Sequence, residues 1–264
     1  MYAFDYQRPA SVDQAVKAGG GDTRFLAGGQ SLIQSMKLRL ASASALVDLG
    51  AIADLKGIRR DGDRIVVGAM TTHAAVARSP EIQGAIPALA ELAECIGDPM
   101  VRNQGTIGGS VANADPAACY PAALLGLGAT VKTDRRELPA DGFFKGLFET
   151  ALDAGELIVS VSFPIVRQAA YQQLRQPASR FPLVGVFVAN GAGGPRVAVT
   201  GAGPYAFRAT SLETALKAKF SPEALDGVGV PAAGLNTDIH ASAEYRAAMI
   251  TVLAQRAVKE ALTR

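Results

Sequence analysis

With 264 residues, 49% apolar and 19% charged, the chain has ample material for one large core or several small ones. No apolar run approaches the roughly 20 residues that a bilayer-spanning helix needs, and the 26 basic and 24 acidic residues are spread along the sequence to a net +2, which argues against a nucleic-acid surface. Two cysteines (Cys95, Cys119) and two histidines (His73, His240) are too few for a disulfide framework, an iron–sulfur cluster or a multi-histidine metal site, so no protein-bound metal is expected.

In chain order, the opening residues carry Asp5 and Arg8 among aromatics and lack the charged-then-apolar order of a secretion signal, so a cytoplasmic location is expected. Ser11 and Gln14 form a capping-box pattern, Val12, Ala15 and Val16 share a helical face, and Gly19, Gly20 and Gly21 stop the helix. Arg24 to Ala27 reads as a short buried strand running into Gly28 and Gly29. Leu32, Ile33, Met36 and Leu40 then predict a second helix, and Ala45 to Leu49 a second strand, with an extra strand near Phe4.

Asp61 and Gly62 predict a hairpin turn between Gly57 to Arg60 and Arg64 to Gly68. Ile86, Leu89, Ala93 and Ile96 mark the inner face of a helix entered at Pro87 and ended by Gly97, and the Gly-, Asn- and Asp-rich stretch from Gly97 to Pro116 reads as a loop. Strands are expected over Ala129 to Thr133 and Leu157 to Phe163, the second closed by Pro164, where a domain boundary is expected. Tyr171 to Arg175, Leu183 to Ala189 and Arg196 to Thr200 suit an antiparallel sheet. Thr210 and Glu213 form another capping-box pattern, and Ile250, Leu253, Ala254, Ala257, Val258 and Ala261 give the last helix its packing stripe. The order describes an α+β fold.

The chemistry concentrates in two glycine turns. In Leu26-Ala27-Gly28-Gly29-Gln30-Ser31-Leu32 a strand ends in paired glycines before a helix, so backbone can approach a ligand and amide groups can face a diphosphate, with the Ser31 hydroxyl beside them. Gly105 to Asp115 repeats those ingredients. Neither turn matches GxGxxG or GxxxxGK[ST], and a glycine pair alone more often marks an ordinary turn; two cradles together fit a dinucleotide gripped from two sides. Asp98, beside a proline, reads as turn-making and Asp115 as cofactor support. Arg102 suits a phosphate, a neighbouring subunit or solvent. His73, after Thr71 and Thr72 at a helix start, reads as a surface or capping residue, and His240 has no partner pattern.

Residues beyond the glycines carry a wider resemblance. Gly28 to Leu32 with Met36 to Leu40, Val67 to His73 (VGAMTTH), Ile96 to Asp115, Glu156 to Pro164 (ELIVSVSFP), Arg175 to Val184 (RQPASRFPLV) and Glu244-Tyr245-Arg246 together resemble the FAD-binding subunits of the xanthine dehydrogenase or molybdenum hydroxylase family, and in particular the medium chains of aerobic carbon monoxide dehydrogenases. The resemblance spans essentially the whole chain. It implies a PCMH-type fold of two α/β subdomains, 1–55 and 56–165, followed by a C-terminal antiparallel sheet with helices, 166–264, with FAD extended between the first two.

By the same resemblance Phe25, Leu26, Ala27, Gly28, Gly29, Gln30, Ser31 and Leu32, and Thr106, Ile107, Gly108, Gly109 and Ser110, bind the cofactor, supported by Asn113 and Asp115, while Ile96 and Ile158 pack near it. Arg175 stands where relatives often have lysine. Cys119, before Tyr120 and Pro121, departs from a usual aspartate, and a thiol is the poorer acceptor, so flavin affinity or potential is expected to differ. The implied function is electron transfer: a large molybdenum-cofactor subunit oxidises substrate, electrons pass through iron–sulfur clusters of a small subunit to this FAD, and an external acceptor takes them. The implied assembly is a dimer of heterotrimers, a heterohexamer. No catalytic side chain is named, because no triad or paired carboxylate site is visible. The rivals are an autonomous flavin-dependent oxidase or dehydrogenase and a non-redox nucleotide-binding module. The substrate, whether carbon monoxide, an N-heterocycle, a purine or an aldehyde, would be read by another polypeptide.

Overall fold

Three short strands and two helices open the chain: β1 (Asp5–Gln7), α1 (Val12–Ala18), β2 (Thr23–Leu26), α2 (Leu32–Lys37) and β3 (Ala45–Asp48). The strands form a parallel sheet in the order β1-β3-β2. The Ser11 hydroxyl accepts the Gln14 N–H at 3.3 Å, and the Gln14 side chain accepts the Ala10 N–H at 3.0 Å, so the expected box closes one residue earlier on its return side. Helix α2 is shorter than its apolar pattern predicts. Arg39 turns left-handed at φ 60 and the Leu40 N–H returns to Ser35 O, which leaves Leu40, expected on the inner face, 79% exposed. The structure, a computed structural model, describes residues 1–264.

The middle of the chain holds β4 (Ile58–Asp61), β5 (Arg64–Gly68), α3 (His73–Arg78), α4 (Pro80–Ala85), α5 (Pro87–Glu94), α6 (Pro99–Gln104), α7 (Ile107–Asn113), α8 (Tyr120–Leu127), β6 (Thr130–Thr133), β7 (Glu137–Pro139), β8 (Phe144–Gly146), β9 (Glu149–Thr150) and β10 (Ile158–Pro164). An antiparallel sheet runs β4-β5-β10-β6-β7. Asp61 pairs with Arg64 across the expected hairpin, with Gly62 at φ 59 in the turn.

The stretch expected as a loop, Gly97 to Pro116, instead contains α6 and α7. Asp98 caps α6 by accepting the Val101 N–H at 2.8 Å, with Pro99 in the first turn, and Thr106 caps α7 by accepting the Gly109 N–H at 3.1 Å. These caps outweigh the poor helix propensity of the glycines inside α7. Helix α8 is buried along its whole length and so carries no amphipathic period to reveal it.

The C-terminal sheet, β11 (Ala169–Arg175), β12 (Pro182–Gly191), β13 (Gly194–Thr200) and β14 (Phe207–Arg208), is antiparallel in that order. Helices α9 (Thr210–Ala218) and α10 (Ala243–Ala261) follow. Strand alternation divides its side chains between two cores. Val184, Val186, Val188, Val197 and Val199 pack beneath Leu212 of α9 and Ile250, Leu253 and Ala257 of α10. Phe187, Ala189 and Ala198 join the core of the middle region. There α8 lies flat on the sheet, because a β-carbon on Gly126 would come within 2.6 Å of the Phe187 ring. The near-continuous apolar run of β12 follows from this two-sided burial. The expected capping box at Thr210 is absent: the Glu213 carboxylate accepts the Val197 N–H at 2.9 Å and pairs with Arg208, tying α9 to β13. No helix is long and apolar enough to cross a membrane.

Candidate cofactor-binding site

A cavity of about 880 Å³ runs between the N-terminal sheet, the α6–α7 region and the β11–β12 turn. The first glycine turn forms one wall. Beyond β2, Gly29 sits at φ +72, a conformation that favours glycine, and turns the chain into α2. The backbone N–H groups of Gly28, Gly29, Gln30, Ser31 and Leu32 have no acceptor within the protein, and these residues line the cavity. Such amides are open to water or to a ligand anion. Unpaired successive amides form the type of concavity that binds a phosphate group. The Gln30 side chain folds back on Gly28 O at 3.3 Å, leaving the amides unobstructed by that contact.

The second turn is built differently. The Ile107 N–H goes to Thr71 O at 3.1 Å, Gly108 to Ala69 O at 2.8 Å, and Ser110 to Thr106 O at 3.0 Å, while Gly109 is held by Thr106. Its amides are therefore spent inside the protein, and what it offers the cavity is side chains: the Ser110 hydroxyl and the Asn113 amide, neither with a protein partner. The glycines also serve a purpose other than the one their sequence suggests. A β-carbon on Gly28 would lie 2.1 Å from Gln104 O, and one on Gly108 would lie 2.5 Å from Ala69 Cβ. Missing side chains let the two turns touch each other and let α7 sit on the end of β5.

The remaining predicted residues divide. Phe25 and Ala27 line the cavity, whereas Leu26, between them on β2, points by strand alternation into a small core with Met36 and Leu46. Ile107 is fully buried in the main core and Arg175 stands apart, its guanidinium 3.1 Å from Cys95 Sγ; none of these three lines the cavity. Ile96, Ile158, Thr106, Gly109, Asp115 and Cys119 do. Asp115 accepts the Ala117 N–H at 2.8 Å, as a turn-making carboxylate does. Cys119 is buried, and burial pushes its thiol up to about 12, so it is a neutral wall group at physiological pH.

Sequence reasoning missed several wall residues. His73, expected at the surface or as a cap, is 5% exposed; Thr72 provides the cap, and burial, with the Arg102 charge adding to it, holds the imidazole down to about 4. Arg180 and Phe181 reach the cavity from a turn closed by Gln176 N–H to Phe181 O at 2.9 Å, with Arg180 at φ 68. Pro177 and Ser179 were a legible turn signal there. His240, without a partner pattern in sequence, packs edge-on against the Phe181 ring at 5.8 Å between centroids. Glu156 also borders the cavity, its carboxyl held down to about 2 by the Arg136 guanidinium at 2.8 Å.

Unpaired amides together with hydroxyl and amide side chains lining one cavity are chemistry suited to a phosphate-bearing cofactor. Residues 2–166 match the family described as FAD binding domain in molybdopterin dehydrogenase, and the chain belongs to that family of FAD-binding oxidoreductase subunits. Over 99% of its length it is 35% identical to the carbon monoxide dehydrogenase medium chain of Hydrogenophaga pseudoflava, covering 98% of that protein. It is 34% identical to the nicotine 6-hydroxylase medium subunit of Paenarthrobacter nicotinovorans, over 98% of this chain and 97% of the other. Among solved structures, carbon monoxide dehydrogenase from Hydrogenophaga pseudoflava lacking the Mo-pyranopterin moiety superimposes with a TM-score of 0.90 at 35% identity, covering 98% of this chain and 97% of that one. Quinoline 2-oxidoreductase from Pseudomonas putida 86 gives 0.88 at 29% identity, covering 99% and 98%.

Proposed function

We propose that this chain is the electron-transferring FAD subunit of a cytoplasmic molybdenum hydroxylase complex, working with a large molybdenum-cofactor subunit and a small iron–sulfur subunit in a dimer of heterotrimers. Support for the partners comes from relatives named as medium chains or subunits. Bound in the cleft, FAD supplies the redox centre between the small subunit's clusters and an external acceptor. The observation that carries the reading is the run of unpaired amides from Gly28 to Leu32 beside the cavity.

In this reading 1–55 and 56–165 are the subdomains that bind the cofactor, and 166–264 covers it. The first turn's amides hold the diphosphate, Ser31, Ser110 and Asn113 add hydrogen bonds, and Ile96 and Ile158 pack near the ring system. Cys119 contributes a neutral thiol where a carboxylate is usual, and Arg175 acts on the wall through Cys95. An autonomous oxidase would need a general base matched to its working pH, and the cavity's titratable groups do not supply one: the His73 imidazole, held down to about 4 by burial, is a weak proton acceptor, Asp115 makes a turn, and Glu156 is committed to Arg136. The test is purification of the full chain with added FAD, followed by pull-down of companion chains with metal analysis. Stoichiometric flavin plus two companions bearing iron and molybdenum is the expected result; turnover of an organic substrate by the chain alone would overturn it.

A further inference from the structure

We propose that His73 is a further binding residue for the FAD diphosphate, its Nε2–H donating a hydrogen bond to a phosphate oxygen. The inference rests on the reading that the cavity holds FAD, and its test separates the two.

His73 opens α3 and is fixed from its backbone, whose N–H donates to Gly105 O at 2.9 Å. Its ring lies on Gly105, where a β-carbon would sit 2.5 Å from Nε2, so any residue but glycine at 105 would displace it. Tyr120, with ring centroids 5.3 Å apart, closes another side. No side-chain hydrogen bond reaches either ring nitrogen. Nδ1 is sealed from solvent without a partner, while Nε2 is not sealed, and the residue borders the cavity. A buried polar ring with both nitrogens unmet is costly to keep unless a ligand supplies a partner. Nε2 is the nitrogen left to receive it.

Position decides which part of the ligand that is. Gly105 immediately precedes the second turn, and a β-carbon on Gly28 would come within 2.8 Å of Gly105 Cα. The imidazole therefore stands at the seam where the two turns meet, lining the same cavity as the unpaired amides of Gly28 to Leu32. A donor added there extends an anion cradle. Arg102 acts on the ring electrostatically, and a neutral imidazole next to that charge still keeps one N–H to give.

The experiment titrates deflavinated full-length chain with FAD, ADP and riboflavin, for wild type, His73→Leu and His73→Gln. Wild-type binding of FAD tests the cavity reading by itself. The proposal predicts that His73→Leu weakens FAD and ADP together by about 10- to 100-fold, the range for a hydrogen bond to a charged oxygen. Riboflavin, which lacks phosphate, is unaffected, and His73→Gln recovers most of the loss. Equal weakening of riboflavin, unchanged ADP binding, or failure of glutamine to rescue would overturn it. Nitrogen NMR of the wild-type chain needs no variant, because only His73 and His240 contribute imidazole signals. ADP should shift the His73 Nε2 resonance, and an unmoved resonance under saturating ADP would overturn the proposal even if His73→Leu failed to fold.

Discussion

Replacing Gly28 by alanine puts the contact between the two turns under direct strain. The added β-carbon would lie 2.1 Å from Gln104 O and 2.8 Å from Gly105 Cα, where ordinary contact begins at 3.4 Å. Both obstacles are backbone, so no rotamer change relieves them, and the turns must part by more than an ångström. Overpacking of this order costs about 1–3 kcal/mol. If the whole cost falls on the cofactor-bound form, affinity for FAD drops roughly 5- to 150-fold. Flavin fluorescence titration of the deflavinated chain measures the drop, and thermal melting without FAD shows how much of the strain the free protein bears. Gly84→Ala on α4 is the control, because a β-carbon there meets nothing within 4 Å. Wild-type affinity and melting for Gly28→Ala would refute the close-approach reasoning.

Three further outcomes follow from the same geometry. Arg246, 2% exposed, donates to Leu183 O and to Gly201 O at 3.1 Å and pairs with Asp238 at 2.7 Å, so it ties the strand after the cavity turn to the sheet end and α10. Arg246→Leu leaves two buried carbonyl acceptors without their donor and should cost about 1–3 kcal/mol in chemical denaturation; a loss below about 0.5 kcal/mol, the range of an ordinary surface substitution, would contradict this role. Glu156 has its carboxyl held near 2 in the folded chain against an ordinary 4.5, so its contribution is complete above pH 4.5 and disappears as pH falls toward 2. The stability gap between wild type and Glu156→Gln should shrink over that window, and a constant gap would count against the ion pair. Cys119→Asp places a carboxylate where a neutral thiol now stands and should lower the flavin midpoint potential, roughly 30 mV for each 1.4 kcal/mol on a two-electron couple; superimposable redox titrations would sink the idea.

Much of this architecture can be read from local chemistry. The hairpin at Asp61 and Gly62, the strands of the C-terminal sheet and the stripe of α10 appear where turn residues and periodicity put them. Both glycine turns are legible as well, and both border the cavity. What local pattern does not carry is the reason for the glycines: Gly28 yields to Gln104 and Gly108 to Ala69, contacts between distant segments. Helix α8 escapes because an element buried on all sides has no polar face to set a period. Helices α6 and α7 escape because their glycine, asparagine and proline content mimics a loop until the Asp98 and Thr106 caps are counted. His73 is hidden for a similar reason: its burial depends on Gly105, which only the fold brings beneath it. Leu26 and Ile107 show the converse, since a contiguous motif includes inward-facing positions that serve the core.

Amide hydrogen exchange on the full chain, with and without FAD, weighs the division of labour between the two turns most directly. Amides from Gly28 to Leu32 should exchange rapidly in the free protein and become protected by the cofactor, while those of Ile107 to Ser110, already bonded internally, should be slow in both states. Exchange at 28–32 that ignores saturating FAD would contradict the account.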